Sequence, residues 1–114
     1  NGNNTLLGTG TGIRDFFYIT DAAEAICRFV EIPSTNSHTN ISSGKGTAIK
    51  DLVKSIAKYT NVKDLKWSND PIDDGVPVKI LDNKKMKSEI GNWEYCDLDT
   101  GIKNTVDYIK KALT

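Results

Sequence analysis

Residues 8–21 read Gly-Thr-Gly-Thr-Gly-Ile-Arg-Asp-Phe-Phe-Tyr-Ile-Thr-Asp, and residues 74–82 read Asp-Gly-Val-Pro-Val-Lys-Ile-Leu-Asp. Each stretch carries one cation, Arg14 or Lys79, close to a turn that contains glycine. A guanidinium offers a planar fork of donors and an ammonium offers a compact point charge, so the two together suit a diphosphate. We therefore expect the two stretches to fold around one anion-binding cleft.

Length and charge limit the classes of protein to which the chain can belong. Its 114 residues are the length of one domain, and a chain of this size can bury about 65% of its unfolded surface. Fifteen Lys and Arg residues balance fifteen Asp and Glu residues, so no net basic charge favours nucleic acid as a partner. There is no apolar run of roughly 20 residues and no signal segment. We predict a cytoplasmic protein that binds neither nucleic acid nor membrane.

The sequence offers few soft metal ligands. Cys27 and Cys96 are the only thiols, and His38 is the only imidazole. Without C-x-x-C spacing these residues do not make a metal-ligand set. In a chain so poor in cysteine we expect free, unreactive thiols rather than a disulfide. His38 lies in a polar stretch and is expected to be solvated.

Hydrophobic periodicity predicts an α/β domain of about four helices interleaved with short strands, which form two small sheets rather than one large one. Predicted strands cover residues 5–7, 13–19, 40–42, 64–67 and 78–81. A helix is predicted over 21–31, with Asp21 and Glu24 as its capping box and with Ala22, Ala25, Ile26, Phe29 and Val30 on its core face. Caps are expected at Thr47 for the second helix, at Asp82 for a short third helix and at Asp97 for the last one.

The two opening stretches and their order resemble the C-terminal, substrate-binding part of the extended short-chain dehydrogenase/reductase family, also called the NAD-dependent epimerase/dehydratase family, and within it the GDP-L-fucose synthases. The resemblance runs from about Leu6 to Leu113, and the family's N-terminal Rossmann half has no counterpart here. It implies a small substrate-binding lobe that lacks the Rossmann half. Residues 1–114 would form a single nucleotide-sugar-binding domain, a C-terminal part of a larger enzyme, with residues 1–4 as a disordered terminus or the cut end of a loop.

The resemblance also implies a set of substrate-binding residues. In the family, the arginine that matches Arg14 binds the diphosphate of a nucleotide-sugar. The lysine that matches Lys79 lies at the substrate phosphates, and the aspartate that matches Asp74 contacts polar groups of the nucleotide. Arg14, Asp74 and Lys79 are therefore the predicted substrate-binding residues.

The residues alone leave other interpretations open. Arg14 could instead pair with Asp15 or Asp21 at the surface. Lys79 could be a solvated lysine on an edge strand. Asp73 could replace its neighbour at the nucleotide or merely flank the turn.

The family's reduction chemistry requires two patterns, and we expect this chain to supply neither of them. One is a glycine-rich strand-turn-helix for the nicotinamide cofactor, and the glycine run at 8–12 has neither G-x-G-x-x-G spacing nor a following helical pattern. The other is a catalytic Tyr-x-x-x-Lys pair, whose spacing occurs here once, from Tyr59 to Lys63. The resemblance implies an enzyme dependent on NADP or NAD for the whole protein. We expect this chain to bind no cofactor, to supply no catalytic residue and to be inactive alone. Its expected role is to hold the nucleotide diphosphate.

The alternative function is a non-catalytic module for nucleotide-sugar binding or protein interaction. Two departures from the family favour it, since Leu7 stands where members often have Trp, and Ile72 stands where they commonly begin Lys-Pro-Asp-Gly. The expected partners are a nucleotide-diphosphate sugar, the Rossmann half and a second copy of the chain. The resemblance implies the Rossmann half, and the second copy follows because a lobe separated from that half would expose an apolar face, which favours self-association.

Overall fold

The computed structural model describes residues 4–33 and 37–114. The predicted disordered end over 1–4 and the predicted loop over 34–39 therefore lie partly outside the described residues. The described part alternates short strands with four α-helices, as predicted for an α/β domain. In chain order the elements are β1 (Thr5–Leu6), β2 (Ile13–Asp15), α1 (Ile19–Val30), β3 (Gly46–Ala48), α2 (Ile49–Thr60), β4 (Lys66–Trp67), a 3-10 turn (Pro71–Asp73), β5 (Val78–Lys79), α3 (Lys84–Ile90) and α4 (Leu98–Ala112).

The strands form two small sheets, which confirms the predicted arrangement. In one sheet β1 pairs with β4 in parallel. In the other, β2 lies between antiparallel β3 and parallel β5. The glycine run links the two sheets, and α2 is fastened to it because Ile49 N donates to Gly12 O at 2.9 Å and Lys50 N donates to Gly10 O at 2.8 Å. The run is thus held by the start of α2 before any ligand is considered.

The molecule is a thin slab with a small core. Its principal extents are 51 × 38 × 20 Å and its radius of gyration is 16.8 Å, whereas a compact domain of this length has a radius near about 13 Å. Ala25, Met86 and Ile90 form the buried hydrophobic core between α1 and α3, with Trp93 and Tyr95 packed against it. A slab of this shape leaves much of its apolar surface in contact with solvent.

The first helix begins two residues earlier than predicted, and Asp21 does not cap it. Tyr18 is the N-cap residue of α1 and makes no side-chain cap hydrogen bond. Asp21 is instead buried and accepts hydrogen bonds from Trp93 Nε1 and Cys96 N, each at 2.9 Å. The cap prediction was wrong because the Asp21 carboxylate accepts hydrogen bonds from a distant segment, not from the backbone at the start of its own helix.

The predicted strand over 40–42 is also absent. The antiparallel partner of β2 is β3, with Ile13 opposite Ala48, and residues 40–42 pair with no strand in the described ranges. As a consequence Thr47 lies in β3 rather than capping α2, which begins after Ala48 without a side-chain cap. Extended residues become a strand only where a neighbouring backbone supplies the hydrogen bonds.

The later helix starts agree better with the sequence. Asp97 caps α4 as predicted, because its carboxylate accepts from Thr100 N at 3.0 Å. At α3 the N-cap residue is Asn83 rather than Asp82, although the Asp82 carboxylate accepts from Lys84 N at 2.8 Å. The boundary error there is one residue.

One face of α1 is apolar and uncovered. Ile26 and Val30, both predicted to face the core, are 55% and 80% exposed, and Ile19 is 70% exposed. Because residues seven and eleven positions apart lie on one side of a helix, these three side chains form a single stripe, called here the α1 face. It borders a concavity of about 480 Å³ that Phe29 and Ile41 also line.

Both cysteines are free, as predicted, with Cys27 exposed and Cys96 partly buried. Within the described ranges no group of three or more potential ligands is placed to hold a metal ion. The longest helix there, α4, has 15 residues, and no helix of residues 4–33 and 37–114 is long and apolar enough to cross a bilayer.

Candidate functional site

Arg14 and Lys79 lie side by side on neighbouring strands. In the parallel pairing of β2 with β5, Arg14 stands opposite Lys79. Side chains of directly opposed residues leave a sheet on the same face, so the guanidinium and the ammonium project to the same side. Both residues line a concavity of about 170 Å³, together with Phe17 and Leu81. The structure therefore brings together the two cations that the sequence places far apart.

The Arg14 guanidinium is held by backbone carbonyls. Its Nη1 donates to Ile13 O at 2.7 Å and its Nη2 donates to Asp74 O at 3.3 Å. A Cβ atom at Gly12 would lie 3.5 Å from Nη1, and one at Gly75 would lie 3.7 Å from Nη2. Two glycines thus border the guanidinium.

Neither neighbouring aspartate neutralises Arg14. The Asp15 carboxylate accepts from Ser43 N at 3.2 Å, from the Ser43 hydroxyl, and from Gly44 N at 2.9 Å. The Asp21 carboxylate accepts hydrogen bonds from Trp93 Nε1 and Cys96 N. The interpretation of Arg14 as a surface partner of Asp15 or Asp21 is therefore wrong, and its positive charge has no carboxylate partner among the described residues.

Lys79 is exposed on an edge strand, as its alternative interpretation expected. Its ammonium forms no hydrogen bond or ion pair with the described part of the chain. Because opposed residues leave a sheet on one face, this ammonium and the Arg14 guanidinium share one side of β2 and β5.

The Asp74 carboxylate faces the glycine run. Its Oδ1 accepts from Thr9 N and its Oδ2 accepts from Thr9 Oγ1, both at 2.6 Å. The Thr9 hydroxyl first, and the Thr9 amide second, hold the pKa of Asp74 below its usual value against the opposing effect of desolvation. Asp73 is exposed, and its side chain contacts no partner in the described ranges. The structure therefore distinguishes the two adjacent aspartates.

Sequence reasoning missed Thr9 and Ser43, which hold the aspartates on either side of Arg14. The only local signal was their type, since hydroxyl residues beside glycine commonly bond carboxylates and backbone in turns. Their partners lie 65 and 28 positions away, so no local pattern could identify them.

The glycine run does not fit a dinucleotide cofactor. It leads into β2, not into a helix, so it cannot present a helix N-terminus to a pyrophosphate. Two amides at the start of α2 already donate to carbonyls of this run.

Known proteins resemble the chain in both sequence and fold, although no family model matches it. GDP-L-fucose synthase 1 of Arabidopsis thaliana is 28% identical over 91% of this chain and 32% of that protein. The dTDP-4-dehydro-6-deoxyglucose reductase of Escherichia coli is 30% identical over 92% of this chain and 33% of that protein. The crystal structure of UDP-glucose 4-epimerase with UDP-glucose from Thermotoga maritima matches with a TM-score of 0.80 and 32% identity, over 96% of this chain and 35% of that one.

The chain is similar in sequence and fold to nucleotide-sugar epimerases and reductases of the extended short-chain dehydrogenase/reductase family. It spans about a third of the length of the relatives that it matches. Other family structures that share its fold include an NAD-dependent dehydratase and a UDP-glucuronic acid 4-epimerase in complex with NAD.

Proposed function

We propose that this chain is the substrate-binding lobe of an NAD(P)-dependent nucleotide-sugar epimerase or reductase similar to GDP-L-fucose synthase, and that Arg14 and Lys79 hold the diphosphate of its substrate. The observation that carries the proposal is the parallel pairing that sets Arg14 opposite Lys79. Asp74 lies beside them as the third member of the site, because its carbonyl accepts from Arg14.

Charge supports a diphosphate as the ligand. Both cations line one concavity, and neither is neutralised by a carboxylate of the described residues. A guanidinium binds two phosphoryl oxygens through parallel donors, and an ammonium adds a second charge to the same group. Each charged hydrogen bond of this kind is worth about 1.5–3 kcal/mol.

The lobe would position the substrate while other groups react with it. The sequence contains no dinucleotide-binding turn. Its one Tyr-x-x-x-Lys match, Tyr59 with Lys63, runs past the end of α2, and the Tyr59 hydroxyl is bonded to Asp99. The remaining two thirds of a protein as long as the relatives would then supply the cofactor site and the proton-transferring groups. Holding a diphosphate firmly restricts where the attached sugar can lie, and orientation alone lowers a reaction barrier.

The α1 face is the proposed contact with that remaining part. Its three side chains are more than half exposed, and burying such a stripe against a partner removes apolar surface from water at about 25 cal/mol per Å². Residues 40–42, which lack a strand partner among the described residues, adjoin it through Ile41. In the isolated chain this face would instead favour self-association.

Light scattering after size exclusion tests this contact. We expect the isolated chain to associate as its concentration rises, and Val30→Ser to shift it toward monomer. Val62→Ser is the matched control, since Val62 is a 42% exposed valine elsewhere on the surface. A chain that is monomeric at every concentration, with or without the substitution, would contradict the proposed contact.

Calorimetry with UDP-, GDP- and dTDP-sugars tests the ligand. We expect at least one to bind, and Arg14→Ala and Lys79→Ala each to weaken binding by about 1.5–3 kcal/mol. Lys63→Ala is the control, because within the described ranges Lys63 is hydrogen-bonded through its carbonyl and not through its ammonium. Equal affinities for wild type and Arg14→Ala would remove the assignment. Turnover of a keto-sugar with NADPH by this chain alone would show that the reacting groups are not in a missing half.

A further inference from the structure

The hydrogen bonds of Asp74 differ from those of Arg14 and Lys79. Both of its carboxylate oxygens accept hydrogen bonds from one residue, Thr9, at 2.6 Å. Its backbone carbonyl accepts from Arg14 Nη2 at 3.3 Å. One residue therefore contacts the glycine run with its side chain and the diphosphate-binding guanidinium with its main chain.

The loop that carries Asp74 is fastened to the glycine run at further points. Gly8 N donates to Ser68 Oγ at 2.9 Å, and Asn69 N donates to Gly8 O at 3.0 Å. Gly8 has a φ of +84°, and a Cβ atom there would collide with the Asp74 carboxylate. The Asp74 carboxylate thus occupies space that a side chain at position 8 would need.

We propose that Asp74 is a positioning residue rather than a ligand of the nucleotide: its carboxylate clasps Thr9, which fixes the loop whose carbonyl holds Arg14 toward the diphosphate. The inference rests on the proposed function, since it concerns how that site is held. It differs from the role that the family resemblance implied for Asp74, which was direct contact with the nucleotide.

The two roles predict different losses with two probes. Inorganic pyrophosphate has the phosphates alone, whereas UDP adds a ribose and a base. A residue that positions Arg14 affects both ligands equally. A residue that binds polar groups of the nucleoside affects UDP only.

The experiment measures dissociation constants for pyrophosphate and UDP with matched variants. We expect Asp74→Ala to weaken both by the same factor, about tenfold, because two charged hydrogen bonds to Thr9 disappear. Thr9→Val, which keeps the amide donor, should lose about threefold, and Thr9→Ser should restore the affinity. Asp73→Ala and Thr105→Val are the controls, since Asp73 is exposed and Thr105 bonds only Gly101 O within α4. Loss of UDP binding with unchanged pyrophosphate binding in Asp74→Ala would overturn the proposal.

A second measurement needs no ligand. The chain has two arginines, Arg14 and Arg28, so NMR shows two Nε–Hε signals, and Arg28 serves as an internal reference because it bonds Glu24 at 2.8 Å. We expect the heteronuclear NOE of Arg14 to fall in Asp74→Ala and not in Asp73→Ala. Unchanged Arg14 mobility in Asp74→Ala would overturn the positioning role. If wild type binds neither probe, the proposed function fails, and the NOE still decides whether Asp74 restrains Arg14.

Discussion

The indole Nε1 of Trp93 donates a hydrogen bond to Asp21 Oδ1 at 2.9 Å, and this bond joins α1 to the segment between α3 and α4. The second carboxylate oxygen of Asp21 accepts from Cys96 N, also at 2.9 Å. Above the same indole lies the Arg28 guanidinium, 4.3 Å from the ring centroid. A single buried carboxylate therefore restrains a segment that has no regular secondary structure of its own.

Replacing Asp21 should destabilise the fold. Asp21→Ala leaves the Trp93 and Cys96 donors without their acceptor, and such losses cost about 1–3 kcal/mol. Urea denaturation followed by circular dichroism measures the free energy of unfolding. Glu94→Ala is the control, because Glu94 is an exposed neighbouring acid with no partner among the described residues. A loss below about 0.5 kcal/mol, the usual range of surface substitutions, would contradict the structural role of Asp21.

Stability should depend on pH through Asp99, which joins α4 to α2. Its carboxylate accepts from Ser55 Oγ at 2.6 Å, from the Tyr59 hydroxyl and from Lys58 Nζ at 3.2 Å. The hydrogen bond from Ser55 first, and that from Tyr59 second, lower the pKa of Asp99 from 3.8 to about 2. Because the folded pKa is the lower one, Asp99 stabilises the fold above pH 3.8, and this contribution disappears as the pH falls toward 2.

The comparison of wild type with Asp99→Asn isolates this effect. We expect the difference in unfolding free energy between the two proteins to be constant above about pH 5 and to shrink between about pH 4 and 2. Ser55→Ala should raise the pKa of Asp99, which carboxyl NMR titration measures directly. A difference between wild type and Asp99→Asn that stays constant down to pH 2 would show that these bonds do not perturb Asp99.

Glycines in the loops should differ in their tolerance of alanine. Gly10 and Gly75 have φ values of +74° and +68°, so alanine is strained at both. At Gly10, however, the new Cβ would lie 2.7 Å from Trp67 Cη2, whereas at Gly75 the nearest atom is 3.7 Å away. We expect Gly10→Ala to lose about 1–3 kcal/mol more than Gly75→Ala, since the Trp67 ring must move. Equal losses in urea denaturation would show that strain alone decides.

The two thiols should react at different rates. Cys27 is exposed on α1, whereas Cys96 is partly buried. Desolvation, and then the charges of Asp97 and Asp21, raise the pKa of Cys96 and reduce its thiolate fraction at neutral pH. With a disulfide reagent, Cys96→Ser should retain the fast phase and Cys27→Ser the slow one. The reverse assignment would mean that the segment around Cys96 opens readily.

The sequence predicted the elements whose signals are local. Two small sheets, four helices and the Asp97 cap all follow from period, turn residues and capping pattern. The same local signals failed at Asp21 and Thr47, where the side chain or the backbone found a partner outside its own segment. Periodicity also assigned Ile26 and Val30 to the core, since an apolar stripe looks the same whether it packs on this chain or awaits another surface.

The candidate site was predictable only in part. The approach of Arg14 and Lys79 could be expected from residue types and from the family resemblance, but their parallel register could not, because strands as short as β2 and β5 carry too little pattern. The hydrogen bonds from Thr9 to the Asp74 carboxylate could not be predicted from the sequence either. A carboxylate beside a glycine turn can bind a ligand or hold a loop in place, and only the three-dimensional structure distinguishes the two roles.

The pairing of β2 with β5 has a consequence for how the chain acquires its site. Arg14 lies near the beginning of the sequence, whereas Lys79 lies about two thirds of the way along it. A polypeptide growing on the ribosome therefore has no complete diphosphate site until β5 has emerged. Closing so long a segment costs conformational entropy, and β5 returns little of it because it has only two residues. A diphosphate that binds only the closed form would therefore raise the melting temperature and retard the separation of these strands.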